Sequence, residues 1–134
     1  DTLDAFEDLK LFFLNLGHTV LADAWLTGGR PKTETVREIM EDADVRDRLE
    51  AIWRDEVLPV FAAAGMAGEA ERYIEEVRDR FMNPFLDHRL SDIAGNHAEK
   101  KRRRLQPVVD RARAQPHPPA QPLLSVILES DDHA

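Results

Sequence analysis

Apolar residues recur at helical spacing along most of the chain, and this pattern predicts the secondary structure. Between residues 45 and 57, five apolar positions fall on one face of a helix: Val45, Leu49, Ile52, Trp53 and Val57. Such a stripe is typical of a helix packed against a core. It therefore predicts that Trp53 packs in the core and does not stack on a ligand.

Other segments show the same periodicity. Residues 3–16 predict a first helix that is apolar nearly all round, and Thr19–Leu26 a short apolar helix packed against it. Gly68–Phe81 predicts an amphipathic helix, on which the i,i+4 spacing favours an ion pair between Glu76 and Arg80. The residues from 85 to 114 predict two or three shorter helices, broken near Gly95 and Pro107.

The C-terminal part has a different composition. Residues 115–122 are rich in proline and predict an extended linker, and the final residues, ESDDHA, predict a frayed end. Residues 123–128, LLSVIL, can form a strand or a short helix. Because no other segment alternates like a strand, the sequence predicts an all-α domain of about six to eight helices over residues 1–114, with a linker and tail over 115–134.

Three polar residues interrupt the apolar stretch KLFFLNLGH. On an ideal helix Lys10 lies at 0°, His18 at about 80° and Asn15 at about 140°, so all three share one side. In an apolar setting a lysine loses hydration, which favours the neutral amine that a general base requires. An amide can hold an oxyanion, and a neutral imidazole can hydrogen-bond a hydroxyl. The trio therefore suits proton transfer as an alcohol becomes a ketone.

A purely structural interpretation of these residues stays open. Lys10 can extend to water from the start of the helix. Asn15 and His18 can be satisfied core or capping groups, with Gly17 ending the helix.

Composition narrows the possible functions. The 134 residues suit one domain. Lys and Arg number 18 against 26 Asp and Glu, and the formal charge of -8 argues against broad nucleic-acid or membrane-surface binding. There is no cysteine, so neither a disulfide framework nor a thiolate metal site is expected, and a cytoplasmic protein fits. The start lacks methionine and is acidic, which indicates a fragment of a larger protein and not a signal peptide.

Two motifs resemble those of one enzyme family. The pattern K-x4-N-x2-H, formed by Lys10, Asn15 and His18, is similar to the catalytic motif of the polyol-specific long-chain dehydrogenases, the mannitol dehydrogenase family. Residues 80–85, RFMNPF, resemble the family's R-F-x-N-P segment, and residues 87–90, DHRL, resemble its uronate (tagaturonate and fructuronate) reductase branch. The resemblance runs from about residue 9 to 107.

This resemblance implies both a fold and site residues. It implies a helical domain like the C-terminal domain of 6-phosphogluconate dehydrogenase, in which Lys10 is the general base, Asn15 steadies the oxyanion and His18 bonds a hydroxyl. Lys100, and less directly Arg89, would bind the distal part of a polyol, ketose or uronate substrate. Asp92 replaces an arginine expected in mannitol-type members, which argues against mannitol itself.

The resemblance also implies a missing partner domain. Members bind NAD or NADP through an N-terminal Rossmann-like domain, whereas this sequence has no GxGxxG motif and no βαβ pattern. The chain would then be metal-independent, inactive by itself, and without nucleic-acid or membrane partners. The alternative is a free-standing helical interaction or regulatory module, which a start codon just before Asp1 would favour.

Two further clusters of residues in the sequence allow more than one interpretation. His88, beside Asp87 and near Asp92, could form a carboxylate–histidine site, but the histidines lack the spacing of known metal motifs. The basic run at residues 100–104 can be a targeting or nucleic-acid element, a charged helix end, or a binding site for a substrate carboxylate or phosphate. We favour substrate binding for Lys100 and a surface helix end for residues 101–104.

Overall fold

The computed structural model describes residues 2–130, and the side chains of residues 4–130. The helices, in chain order, are α1 Thr2–Leu9, α2 Leu16–Thr27, α3 Val36–Met40, α4 Ala43–Ala51, α5 Leu58–Ala63, α6 Ala67–Phe81, α7 Leu90–Ile93, α8 His97–Arg104, α9 Gln106–Arg113 and α10 Pro122–Glu129. Two π-helical segments, Lys10–Asn15 and Ile52–Val57, join α1 to α2 and α4 to α5.

The predicted all-α class is confirmed. The described residues contain no strand, and the nearest feature is an isolated antiparallel bridge between Thr35 and Arg89. The π-helical segments and the helical backbone of Leu105 join neighbouring elements, so that the described residues form seven helical rods, within the expected six to eight. None of the helices in residues 2–130 has the length and apolar character needed to cross a lipid bilayer.

The N-terminal rod runs without a break from Thr2 to Thr27. The expectation of two helices, separated near Gly17, is therefore wrong. Phe12, Phe13 and Leu16 are fully buried along this rod, and it packs against α8, α7, α4 and α6. Because residues 11–22 of the rod are mostly apolar, neighbours cover this part on several sides, and it forms the centre of the core.

Local capping explains where the next elements begin. Thr35 and Glu38 form a capping box at the start of α3, since the Thr35 hydroxyl accepts from the Glu38 N–H and the Glu38 carboxylate from the Thr35 N–H. The Asp42 carboxylate accepts the Asp44 and Val45 N–H groups at the start of α4. Trp53 is fully buried, as its place in the apolar stripe predicted.

The C-terminal segment is more ordered than its composition indicated. Of the two structures open for residues 123–128, the helix is correct, because these residues lie in α10. Leu124 and Ile127 are fully buried in the same core as the N-terminal rod. Residues 115–121 form no helix, as expected of a linker, yet Gln121 is buried. Of the residues expected to fray, Glu129 is the last residue of α10 and Ser130 follows it, and residues 131–134 lie outside the described residues.

Candidate functional site

The three polar residues that the sequence grouped together all lie at accessible positions of the N-terminal rod. Lys10 is exposed, and Asn15 and His18 are half-buried, while most of the apolar residues between them are buried. That the three share one side stays a prediction, which helical geometry supports. The expected burial of Lys10 is wrong for this chain, because nothing in residues 2–130 covers the amine.

None of the three side chains makes a hydrogen bond or ion pair within the described part of the chain. The His18 ring packs against the rings of Phe81 and His88, and Lys10 and Asn15 have no polar partner within the described residues. The structural interpretation of Asn15 and His18 as satisfied core or capping groups therefore does not hold here. Their donors and acceptors are free to bind a ligand.

The π-helical segment Lys10–Asn15 changes how these residues are arranged. The Leu16 N–H bonds to the Leu11 carbonyl, five residues back. Since a π-helix has more residues per turn than an α-helix, each residue rotates less around the axis. Lys10 and Asn15, about 140° apart on an ideal α-helix, therefore come closer together. The apolar periodicity of KLFFLN contains no signal that could have predicted this widening.

His18 lines a cleft of about 310 Å³, together with Leu14, Val36, Arg80, Phe81, Leu86, Asp87 and His88. Its ring stacks on Phe81 at a centroid distance of 4.8 Å and meets His88 edge-on at 5.1 Å. Burial, and then the charges of His88, Arg104, Arg80 and Lys100, lower the pKa of His18 from 6.5 to about 3. The imidazole is therefore neutral at physiological pH, as a partner for a substrate hydroxyl must be.

Gly17 allows this stacking. A Cβ at position 17 would lie 3.0 Å from Cε2 of Phe81 and 3.2 Å from Cζ2 of Trp53. Gly17 does not end the helix, which continues for ten residues in regular α-helical form to Thr27. Its role is to let α6 approach closely enough for Phe81 to pack beside His18.

Lys100 and Arg89, the two residues expected to bind substrate, differ in burial and in hydrogen bonding. Lys100 is half-buried, its Nζ donates to the Ile93 carbonyl at 2.7 Å, and its positive charge acts on His18. Burial and the charge of Arg104 lower the pKa of Lys100. Arg89 is exposed and is neither among the residues that line the cleft nor among the charges that act on His18. Neither residue lines the cleft, although the charge of Lys100 acts on His18 and that of Arg89 does not.

Three residues near His18 were missed as site residues. Arg80 belongs to the RFMNPF motif, which was interpreted only as evidence for the family, and His88 was interpreted only as a candidate metal ligand. Arg104 was assigned to a surface helix end. Its position four residues after Lys100 was a usable signal, because residues at that spacing share a helix face.

The loop between α6 and α7 is built on Asn83. Its side-chain oxygen accepts the Phe85 N–H at 2.9 Å, which forms a turn of the kind asparagine favours. The turn leaves Phe85 91% exposed and Leu86 44% exposed. Within residues 2–130, no group of three or more His, Asp or Glu side chains is arranged to hold a metal ion.

Comparison with known proteins gives a consistent result. The family model of the mannitol dehydrogenase C-terminal domain matches residues 2–127. The chain is similar to altronate oxidoreductase of Klebsiella pneumoniae, with 33% identity over 80% of this chain and 21% of that protein. It is 32% identical to altronate oxidoreductase of Cronobacter sakazakii, over 86% of this chain and 23% of that protein.

The same comparisons show what fraction of each relative's length this chain matches. The chain spans about a fifth of the length of the curated relatives it matches. No solved structure is significantly similar to it.

Proposed function

The chain belongs to the family of mannitol dehydrogenase C-terminal domains, and we propose that it is the substrate-binding and catalytic helical domain of an NAD(P)-dependent oxidoreductase. The enzyme would interconvert a sugar alcohol or aldonate with its keto form by hydride transfer. One observation carries this proposal. Lys10, Asn15 and His18 are all at least partly exposed on the same rod, and their polar atoms have no partner within residues 4–130.

Each of the three residues has a role that its chemistry supports. Lys10 takes the proton of the reacting hydroxyl in oxidation and returns it in reduction. Asn15 donates from its amide to the oxyanion that develops on the substrate. His18, neutral because of its lowered pKa, hydrogen-bonds the reacting or a neighbouring hydroxyl.

The exposure of Lys10 requires a second domain. A solvated lysine is a poor base at neutral pH, because its ordinary pKa is about 10.4. We propose that an N-terminal Rossmann-like domain of the same polypeptide covers Lys10 and thereby lowers its pKa by desolvation. The chain alone would then be inactive.

The same domain would hold NAD or NADP, which supplies the hydride-transfer chemistry. The described residues of this chain do not fit a dinucleotide, since they form no strand–turn–helix unit with a glycine-rich loop. We therefore assign no cofactor contact to them.

Among possible substrates, we favour an aldonate over a simple polyol. The matched relatives are altronate oxidoreductases, and altronate is a sugar acid. Lys100, which lies near His18, would bind the distal part of this substrate. We expect a cytoplasmic enzyme with a small-molecule substrate, without a nucleic-acid or membrane partner.

The decisive experiment replaces Lys10 in the full-length enzyme. Lys10→Ala should lower turnover by about 10²–10⁴-fold, the usual contribution of a general base, while cofactor affinity stays unchanged. Lys32→Ala, at an exposed loop position, is the matched control. Added primary amines should restore part of the activity of Lys10→Ala. Turnover within threefold of the wild type would remove Lys10 from this role.

A further inference from the structure

The charges around His18 do not follow the composition of the chain. The protein is acidic, with a formal charge of -8, yet the charged side chains that act on His18 are all basic. Arg80 lines the cleft, and the charges of Lys100 and Arg104, on α8, also act on His18. The Arg104 guanidinium is hydrogen-bonded to Thr19, the residue after His18. The region around His18 is therefore a local centre of positive potential.

These basic side chains also have no carboxylate partner within the described residues. Arg104 donates to the Thr19 hydroxyl at 3.3 Å, and Lys100 donates to a backbone carbonyl. Arg80 forms no ion pair, so the expected pairing with Glu76 is absent. Burial lowers the pKa values of both Lys100 and Arg104. Arg80 is exposed, whereas Lys100 and Arg104 are partly buried. A partly buried cation without a counter-ion is costly, and a nearby anion would offset that cost for Lys100 and Arg104.

Two neighbouring arginines do form ion pairs, unlike the basic side chains whose charges act on His18. Arg103, next to Arg104, is 73% exposed and lies 2.8 Å from Glu99. Arg78, two residues before Arg80, makes two hydrogen bonds to Glu50, both of 2.6 Å. Carboxylates thus pair with these neighbouring arginines, whereas Arg80, Lys100 and Arg104 form no ion pair within the described residues.

The shape and lining of the cleft indicate the class of anion. Its volume of about 310 Å³ suits a small molecule. A guanidinium binds a carboxylate through two parallel hydrogen bonds. Asp87 supplies a carboxylate in the same cleft, which can accept hydrogen bonds from sugar hydroxyls but would repel an anion placed beside it.

We propose that Arg80 and Arg104, together with Lys100, form an anion subsite beside His18 that binds the carboxylate of an open-chain sugar acid. The subsite makes the enzyme prefer aldonates over polyols. This inference rests on the proposed function and replaces Arg89, expected from the sequence to help bind substrate, with Arg80 and Arg104.

The test measures binding of D-gluconate and D-glucitol, which share a carbon skeleton and differ in the carboxylate, to the full-length protein by calorimetry. The wild type should bind gluconate more tightly. Arg104→Gln and Arg80→Gln should each weaken gluconate binding by about 10–100-fold, as expected for a hydrogen bond to a charged group, and glucitol binding by less than threefold. Arg103→Gln is the matched control and should change neither.

Arg104→Lys keeps the charge but loses the planar fork, so it should retain an intermediate affinity for gluconate. This variant keeps the test valid if Arg104→Gln fails to fold. Equal binding of the two probes by the wild type, or equal losses for both in the Arg80 and Arg104 variants, would overturn the subsite.

Turnover then separates this inference from the proposed function. Oxidation of polyols and aldonates with equal kcat/KM would rule out the anion subsite but would remain consistent with the proposed function. Selective gluconate binding that depends on Arg104, in a protein that oxidises none of these compounds, would end the proposed function and leave the subsite standing.

Discussion

The two π-helical segments use the same backbone distortion in opposite ways. Lys10–Asn15 and Ile52–Val57 are each six residues long, and each lies inside a longer helical rod. Both contain polar side chains beside buried apolar ones. In the first segment the polar groups face an accessible side, whereas in the second the carboxylate of Glu56 is buried, with 1% exposure.

The second segment holds α10 in place. The Glu56 carboxylate accepts the Leu123 N–H at 3.0 Å and the Leu124 N–H at 2.9 Å, at the start of α10. The Gln121 amide donates to the Glu56 carbonyl at 2.8 Å. Burial raises the pKa of Glu56, and these backbone hydrogen bonds oppose that shift. The polar groups of this segment are thus satisfied inside the protein.

This comparison shows which observation separates a functional from a structural polar group. A π-helical segment is common at functional sites, but here one such segment serves only packing. Depth of burial does not separate them either, since the deeper group, Glu56, is the structural one. The distinguishing property is whether the polar atoms are already hydrogen-bonded: Glu56 is, and Asn15 is not, within the described residues.

The largest expected difference concerns activity. Asn15→Ala in the full-length enzyme should lower kcat by about 10²–10³-fold, because it removes an oxyanion donor, while the free energy of unfolding changes by less than about 0.5 kcal/mol. Steady-state kinetics and urea denaturation measure the two quantities. Gln106→Ala, which removes a surface amide paired with Asp110, is the control. A loss of stability as large as the loss of activity would make Asn15 structural, like Glu56.

The second prediction concerns a loss of stability, in contrast to the loss of activity expected for Asn15→Ala. Glu56→Ala should lower the free energy of unfolding by about 2–3 kcal/mol, because the Leu123 and Leu124 N–H groups would be left buried without acceptors. Glu56→Gln keeps one acceptor oxygen and should lose less. Glu129→Ala, at an exposed position on α10, should be nearly neutral. A fall in kcat for Glu56→Ala without loss of stability would contradict the division between the two segments.

Much of this architecture could be predicted from the sequence. The apolar stripes identified α6 and the buried Trp53. The family resemblance drawn from two short motifs is confirmed by the family model. These features are local, because helical periodicity depends on residues within a few positions of each other.

Other features depend on contacts that periodicity does not contain. Gly17 resembled a helix end, but it is explained by Phe81, more than sixty positions away. Arg104 resembled a surface charge, and its role depends on how α8 packs on α2. Lys10 is exposed although its neighbours in the sequence are apolar, because its exposure depends on which elements pack on the start of the rod.

The smallest expected effect tests whether the two segments are coupled. The Trp53 indole, in the second segment, donates to the Phe13 carbonyl in the first at 3.2 Å, and both residues are fully buried. Trp53→Phe should lower the free energy of unfolding by about 1–2 kcal/mol, because the carbonyl loses a buried donor. It should also lower kcat several-fold, since that carbonyl belongs to the segment that positions Lys10 and Asn15.

Trp25→Phe is the matched control, because its indole donates to the Pro31 carbonyl at an exposed site, and it should leave kcat unchanged. Equal kcat values for the two variants would show that the second segment stabilises the fold without shaping the candidate site.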